Sequence, residues 1–389
     1  MRVSAAGRLR WPAMTTASTT TASTTTGSDA REPVRYGVIG TGMMGIEHIE
    51  NIGHIDGAVV TAIADPYRPS RESARMVAGA EHPVVDFEHH RDLIDSGRCD
   101  AVVIATPNHT HADVLLDVLA SDLHVLVEKP LCTTVADCRR VVEAAERGPT
   151  GRVVWMGLEY RYMPPTRALL DELAAGTAGR VRMVAIREHR YPFLHKVGNW
   201  NRFTETTGGT LVEKCCHFFD LMNLVVGSRP VRVTASGAQD VNHLDEEYDG
   251  RRPDMLDNAF VIVDYEGGER GMLDLCMFAE ASKNEQELVV TGDEGKLEAM
   301  VTEGVLRVGR REDGLHVISE HAVADPSIKY LGHHHGSSYL EHLAFLDAIR
   351  TGAPAAVTLT DGLWSVAVGQ AAHRSIEEGR PVEIAELVG

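Results

Sequence analysis

The chain has 389 residues, room for two domains, and its 43% hydrophobic content supports buried cores. A formal charge of −18 would be repelled by phosphate backbones and anionic lipid, which excludes nucleic acid and membrane surfaces as main partners. No run of about 18 apolar residues marks a membrane span, and six scattered cysteines without a CxxC pair fit reduced thiols in a cytoplasm better than a disulfide framework.

Residues 1–32 differ in kind from the rest. Thr15 to Thr26 is almost all Thr, Ser and Ala, too polar to fold on anything, so a disordered tail is expected. It has neither the apolar stretch nor the twin-arginine pair of a secretory leader.

The fold begins near Val34. Arg35-Tyr-Gly-Val-Ile-Gly-Thr-Gly-Met-Met-Gly-Ile46 is a short apolar strand running through glycines into a helix. Gly40 permits a tight turn, Gly42 lets a phosphate approach the main chain, and Gly45 lets the helix pack on the strand. With Met43 and Met44 between the last two glycines, the helix start offers free N–H groups to a dinucleotide pyrophosphate. A second apolar run, Ala58–Ala64, ends in Asp65, 20 residues past Gly45. An acidic side chain at that spacing meets the adenosine ribose hydroxyls. The carboxylate favours NAD over NADP, since it would repel a 2′-phosphate, although Arg68 and Arg71 nearby could accommodate one.

Strand patterns at Tyr36–Ile39, Val59–Ala64, Ala101–Ala105, Val125–Val127 and Val153–Met156 alternate with helical ones at Met43–Ile52, His109–Ala120 and Val135–Arg147. Such alternation predicts a doubly wound parallel sheet of Rossmann type over residues 33–158, with ligands beyond the carboxyl ends of the strands. Residues 159–389 read as an α+β domain. A long helix over about 209–226 comes first. Strand-like runs between Val231 and Val308 follow, joined by Gly-rich turns, and predict a large, open, mostly antiparallel sheet. Two terminal helices, about Ser338–Arg350 and Thr360–Glu378, can return to the first domain.

Two strand ends carry chemistry. One run stops at Thr106-Pro-Asn-His-Thr-His111. The other, His124–Glu128, meets Lys129-Pro130, and a proline there ends pairing and presents Lys129 at the sheet edge. Burial beside a cationic ring is expected to lower the pKa of this lysine toward neutrality. Further on, Thr207-Gly-Gly-Thr-Leu-Val-Glu213-Lys-Cys-Cys-His217-Phe-Phe-Asp220 places Glu213, His217 and Asp220 at i, i+4 and i+7 of one helix face. Glu213 would then orient the His217 imidazole as a proton acceptor. Adjacent cysteines on a helix point about 100° apart, so Cys215 and Cys216 do not suggest a zinc site, and the chain reads as metal-free.

Together, the glycine fingerprint, Thr106–His111, Glu128-Lys-Pro130 and Gly208-Gly-x-x-x-Glu-x-x-x-His217-x-x-Asp220 resemble the glucose–fructose oxidoreductase/inositol dehydrogenase (Gfo/Idh/MocA) family over nearly the whole chain after the tail. The resemblance implies a nicotinamide-dependent dehydrogenase with a cis peptide before Pro130. It implies Lys129 near the nicotinamide and substrate hydroxyl and His217 as acid/base. Thr106, Asn108, His111 and Glu128 would help place the cofactor. Arg161, Tyr162, Trp200 and His335 fall where relatives line a sugar pocket, and Lys214, next to Glu213, is expected to reach into it. Family members that oxidise inositol usually carry aspartate at the position of Glu213, a departure that bears on the pocket and the proton relay.

The activity expected is NAD-dependent oxidation of a secondary hydroxyl of a sugar, glycoside or cyclitol by a homo-oligomer. The linear order leaves open whether Lys129 or His217 is the principal base. An NAD-dependent glycoside hydrolase working by transient oxidation would use the same residues. A non-catalytic regulator binding NAD or sugar is the reading from another class.

Overall fold

Uninterrupted apolar runs build the first sheet because both its faces are covered. In a computed structural model describing residues 32–79 and 83–389, its strands are β1 (Val34–Ile39), β2 (Ala58–Ala64), β3 (Val85–Phe87), β4 (Ala101–Ile104), β5 (His124–Glu128) and β6 (Val154–Gly157). The tail expected over residues 1–31 lies outside the described residues. All six strands are parallel, in the order β3-β2-β1-β4-β5-β6. The order reverses between β1 and β4, which opens a crevice at their carboxyl ends. The covering helices are α1 (Met43–Gly53), α2 (Arg68–Ala78), α3 (His90–Asp95), α4 (His111–Leu119) and α5 (Val135–Arg147).

Periodicity did not reveal β3, α2 and α3. Strand β3 is three half-buried residues at a sheet edge, and α2 buries only Ser70 and Ala74, so neither carries an apolar pattern strong enough to read.

After helix α6 (Pro164–Ala174) the chain enters a second sheet. Its strands are β7 (Val181–His189), β8 (Pro230–Ala238), β9 (Asn258–Tyr265), β10 (Arg270–Cys276), β11 (Gln286–Gly292), β12 (Gly295–Met300), β13 (Val305–Arg310), β14 (Ser319–Ala322) and β15 (Val382–Glu383). The order is β14-β13-β12-β11-β7-β10-β9-β8-β15. Every neighbouring pair is antiparallel except β7 with β10. Strand β7 is central yet was not expected, because Arg182, Arg187, Glu188 and His189 interrupt its apolar alternation. Glu188 is nonetheless fully buried, which only a tertiary partner can explain.

The long helix expected over 209–226 is broken. Two short helices, α7 (Thr204–Thr207) and α8 (Thr210–Glu213), precede α9 (Cys216–Val226). At the break Cys215 N–H reaches back to Thr210 O at 3.4 Å, one residue beyond helical reach. The terminal helices are α10 (Ser337–Thr351) and α11 (Leu359–Glu378), before a last turn α12 (Ala385–Val388). Tyr36 of β1 meets His342 and Phe345 of α10 edge-on, at centroid distances of 6.2 and 6.1 Å. Helix α11 starts with a Thr358–Asp361 capping box. It gives Val366 and Ala367 to the core around the first sheet and Val368, Ala371 and Ala372 to the core beneath the second. No helix among the described residues is long and apolar enough to cross a membrane.

Candidate active site

The glycine turn behaves as its spacing requires. Gly40 has φ +87°, and a Cβ there would lie 2.6 Å from the Ala105 carbonyl. A Cβ on Gly45 would sit 2.0 Å from Gly40 O, so the third glycine is what lets α1 close on β1. A Cβ on Gly42 would meet nothing within 4 Å; it faces a cavity of about 670 Å³ lined by Gly40, Gly42, Met43 and Met44. That volume suits a cofactor.

Asp65, at the end of β2, forms part of the same wall. Its two oxygens accept N–H bonds from Thr41 and Tyr67, each 2.8 Å long, which holds the carboxylate beside the glycine turn. Of the two arginines that could take a 2′-phosphate, Arg71 donates to Asp65 O at 2.5 Å and both are paired with carboxylates. Arg68 pairs with Glu72 at 2.7 Å, and Arg71 with Asp86 at 3.3 Å. The residues present therefore fit NAD.

Thr106, Asn108, Glu128 and Lys129 line the far part of the cavity. His111 stands behind the wall, its ring between Pro130 O at 2.8 Å and Thr106 O at 3.0 Å, and so ties the two strand ends together. The Lys129–Pro130 peptide is cis. Glu128 is braced from below by His48 Nε2 at 2.9 Å, whose Nδ1 lies 2.8 Å from His342 Nε2.

Lys129 departs from expectation. Burial lowers its pKa, but the Glu213 carboxylate, with Glu128 behind it, outweighs burial and raises the pKa above the ordinary value. Its Nζ donates to Glu213 O at 3.2 Å and lies 3.9 Å from Glu213 Oε1. Glu213 also binds Lys196 Nζ at 3.4 Å and accepts a bond from the Asn108 amide.

Glu213 is therefore not the carboxylate that orients His217. The break between α8 and α9 sends the three residues of the expected stripe to separate partners. Glu213 faces Lys129, Lys196 and Asn108. Asp220 forms a two-pronged pair with Arg161, at 2.7 and 2.5 Å. His217 stacks on Tyr160 at 3.8 Å with a 5° tilt, and its Nε2 is 3.6 Å from Glu159 Oε1. Burial lowers the His217 pKa well below the usual value, and the Lys129 ammonium adds to this. The ring is thus neutral at physiological pH, and Lys129 is near enough to be felt.

Not every residue assigned to the substrate reaches this site. Arg161 is buried on Asp220 and Asp361, and Tyr162 packs near Trp155 at a centroid distance of 6.4 Å. His335, in a left-handed conformation, has its pKa lowered by burial, with Glu285 opposing this. His334 approaches the site in its place, its ring 6.0 Å from Tyr160. Trp200 does line the cavity, under the Lys196 ammonium at 4.5 Å. Lys214 is buried, donates to Tyr160 Oη at 2.6 Å and pairs with Glu188 at 2.9 Å, which accounts for the buried acid on β7. Glu159 and Lys196 went unread because they stand in no motif. The only signal was a glutamate two residues after the apolar strand that ends at Gly157.

Residues 34–158 match the family model for the oxidoreductase family NAD-binding Rossmann fold, and residues 171–384 match its C-terminal alpha/beta domain. The chain is 28% identical over 362 residues to myo-inositol 2-dehydrogenase of Thermotoga maritima, covering 92% of this chain and all of that one. It is 30% identical over 360 residues to inositol 2-dehydrogenase 2 of Saccharopolyspora erythraea, covering 90% and 95%. A solved levoglucosan dehydrogenase in complex with NADH and levoglucosan superposes with a TM-score of 0.79 over 91% of this chain and all of that one; its 20% identity speaks to the fold alone. Matched in order along nearly its whole described length, the chain belongs to the Gfo/Idh/MocA oxidoreductase family.

Proposed function

We propose that this protein oxidises a secondary hydroxyl of a sugar, glycoside or cyclitol, with NAD as acceptor. The observation that carries the reading is a single cavity lined by the glycine turn, Asp65, Asn108 and Lys129, with the Lys129 ammonium held at Glu213. The inositol dehydrogenases among its relatives support the substrate class.

NAD, when bound, supplies the hydride acceptor. Gly40, Gly42 and the start of α1 would hold its pyrophosphate, Asp65 its ribose, and Asn108 and Glu128 would shape the nicotinamide end. Lys129 would donate a hydrogen bond to the substrate oxygen and steady the negative charge that grows there. His217 would take the hydroxyl proton. Tyr160 fixes the plane of the imidazole by stacking, while Glu213 holds Lys129 in place and in its charged form. Trp200 and Lys196 close the cavity from the side.

We also assign cofactor binding to residues 33–158 and substrate and self-association surfaces to 159–389. The outer face of the second sheet exposes Met183, Phe260, Ile262 and Met272 on three adjacent strands, with Ile262 directly opposite Met272 and Met183 and Phe260 opposite Arg270 and Asp274. A contiguous apolar patch of this kind is suited to a second copy of the chain.

The test is an NADH-linked screen against myo- and scyllo-inositol, glucose and levoglucosan, run with NAD and with NADP. One or more polyols should reduce NAD far faster than NADP. Lys129→Ala and His217→Ala should keep NADH affinity and lose turnover by roughly 10²- to 10⁴-fold. Near-normal turnover in both variants would remove the assignment.

A further inference from the structure

We propose that Glu159, with His334 and Glu47 behind it, forms the proton relay that clears the proton His217 accepts; this rests on the reading of His217 as the base. Glu159 lies in a single 3₁₀ turn (Glu159–Tyr162) just after β6. It is 1% exposed, and neither of its oxygens nor either ring nitrogen of His217 has a hydrogen-bond partner within the protein. A buried carboxyl left without a donor costs about 1–3 kcal/mol or more and calls for an explanation.

The distances supply one. Glu159 Oε1 lies 3.6 Å from His217 Nε2 and 4.0 Å from His334 Nδ1, and His334 Nδ1 lies 3.4 Å from Glu47 Oε1. Each gap is within about 1 Å of hydrogen-bond length, a separation that substrate binding commonly closes. Glu47 is anchored by the His333 N–H at 3.0 Å. The His334 side chain is 19% exposed while Glu47 is buried, so the row meets water at His334.

The groups facing Glu159 come from every element packed on it. Glu128 and Lys129 stand at the end of β5 and Glu47 on α1. Cys216 and His217 belong to α9, Tyr160 to its own turn, and Glu341 to α10, where it accepts from Trp155 Nε1 at 3.2 Å. Burial, with Glu128 and Glu47 adding to it against Lys129, keeps Glu159 protonated well above the ordinary carboxylate range. A neutral carboxyl can pass protons in either direction. With NAD supplying the hydride acceptor when bound, the hydroxyl proton of the substrate would go to His217. That proton then moves to Glu159 while the proton already on Glu159 leaves through His334, which Glu47 holds in place, to water. All four groups end as they began, and reduction runs the same path backwards.

The experiment compares Glu159→Gln and His334→Ala with the parent protein, using the best polyol from the screen above. Glu159→Gln should lower kcat by about tenfold or more and change its pH profile, with KM and NADH affinity held within about twofold. His334→Ala lies at the exposed end and should regain turnover as imidazole is added to the buffer. In parallel, ¹⁵N-histidine NMR of the intact protein should show the His217 ring resonances moving in Glu159→Gln. An unchanged pH profile, no response of His334→Ala to imidazole, or a His217 signal indifferent to Glu159→Gln would each overturn the relay. If no polyol is turned over, the substrate assignment fails, while the His217 signal still decides the relay by itself.

Discussion

Lys129 shows how far a single residue's chemistry depends on what surrounds it. Presentation at a strand end beside a proline is a local matter and follows from Glu128-Lys129-Pro130. Its proton state is not, because the decisive charge belongs to Glu213. The same pair sets the Glu213 carboxyl: burial pushes its pKa up, but Lys129 and Lys196 and the Asn108 amide more than reverse this, down to about 2. A carboxyl depressed on folding stabilises the fold above its unfolded pKa, and that contribution is lost as pH falls toward the folded value. The stability advantage of the parent protein over Glu213→Gln should therefore be flat from pH 7 to about 5 and shrink from about pH 4.5 downward. The pH-dependent part is of the order of 3 kcal/mol. Thermal melts of the two proteins across this range measure it, and an advantage that does not change on acidification contradicts the pairing described here.

At the scale of elements, the two later glycines of the fingerprint do separable work. Gly45 is a packing residue, since its missing Cβ makes room for Gly40 O, whereas Gly42 leaves its space to the ligand. Gly45→Ala should cost about 1–3 kcal/mol and lower the melting temperature. Gly42→Ala should melt like the parent yet bind NADH about tenfold more weakly or worse. Calorimetry together with fluorescence titration separates the two, and equal effects in both assays would argue against this division. Helix α9 gives the opposite lesson. An i, i+4, i+7 pattern assumes a continuous helix, and the break at Lys214–Cys215 removes that assumption without any proline or glycine to announce it. A lysine side chain drawn inward to Glu188 accompanies the break, and Glu188 comes from a strand that the pattern did not reveal.

For the whole molecule, the second sheet turns one face to the core and leaves the other uncovered. The uncovered face places Met183, Phe260, Ile262 and Met272 among charged neighbours such as Arg187 paired with Glu287 at 3.1 Å. Light scattering should find a dimer or tetramer. Phe260→Asp combined with Ile262→Asp should yield a monomer with an unchanged circular dichroism spectrum, and a parent protein that is itself monomeric removes this surface from consideration. Much was legible before any coordinates: the parallel sheet, the glycine turn, Asp65, the strand-end lysine and the antiparallel character of the second sheet. These follow from backbone restrictions and apolar period, which act over a few residues at a time. Which carboxylate meets which base was settled only by tertiary structure. Glu159, His217, His334 and Glu47 lie on four distant stretches, and a buried charge takes its partner from whatever packing brings within reach. Local sequence fixes where a side chain starts; the low-dielectric space shared by remote segments fixes whether it carries a proton.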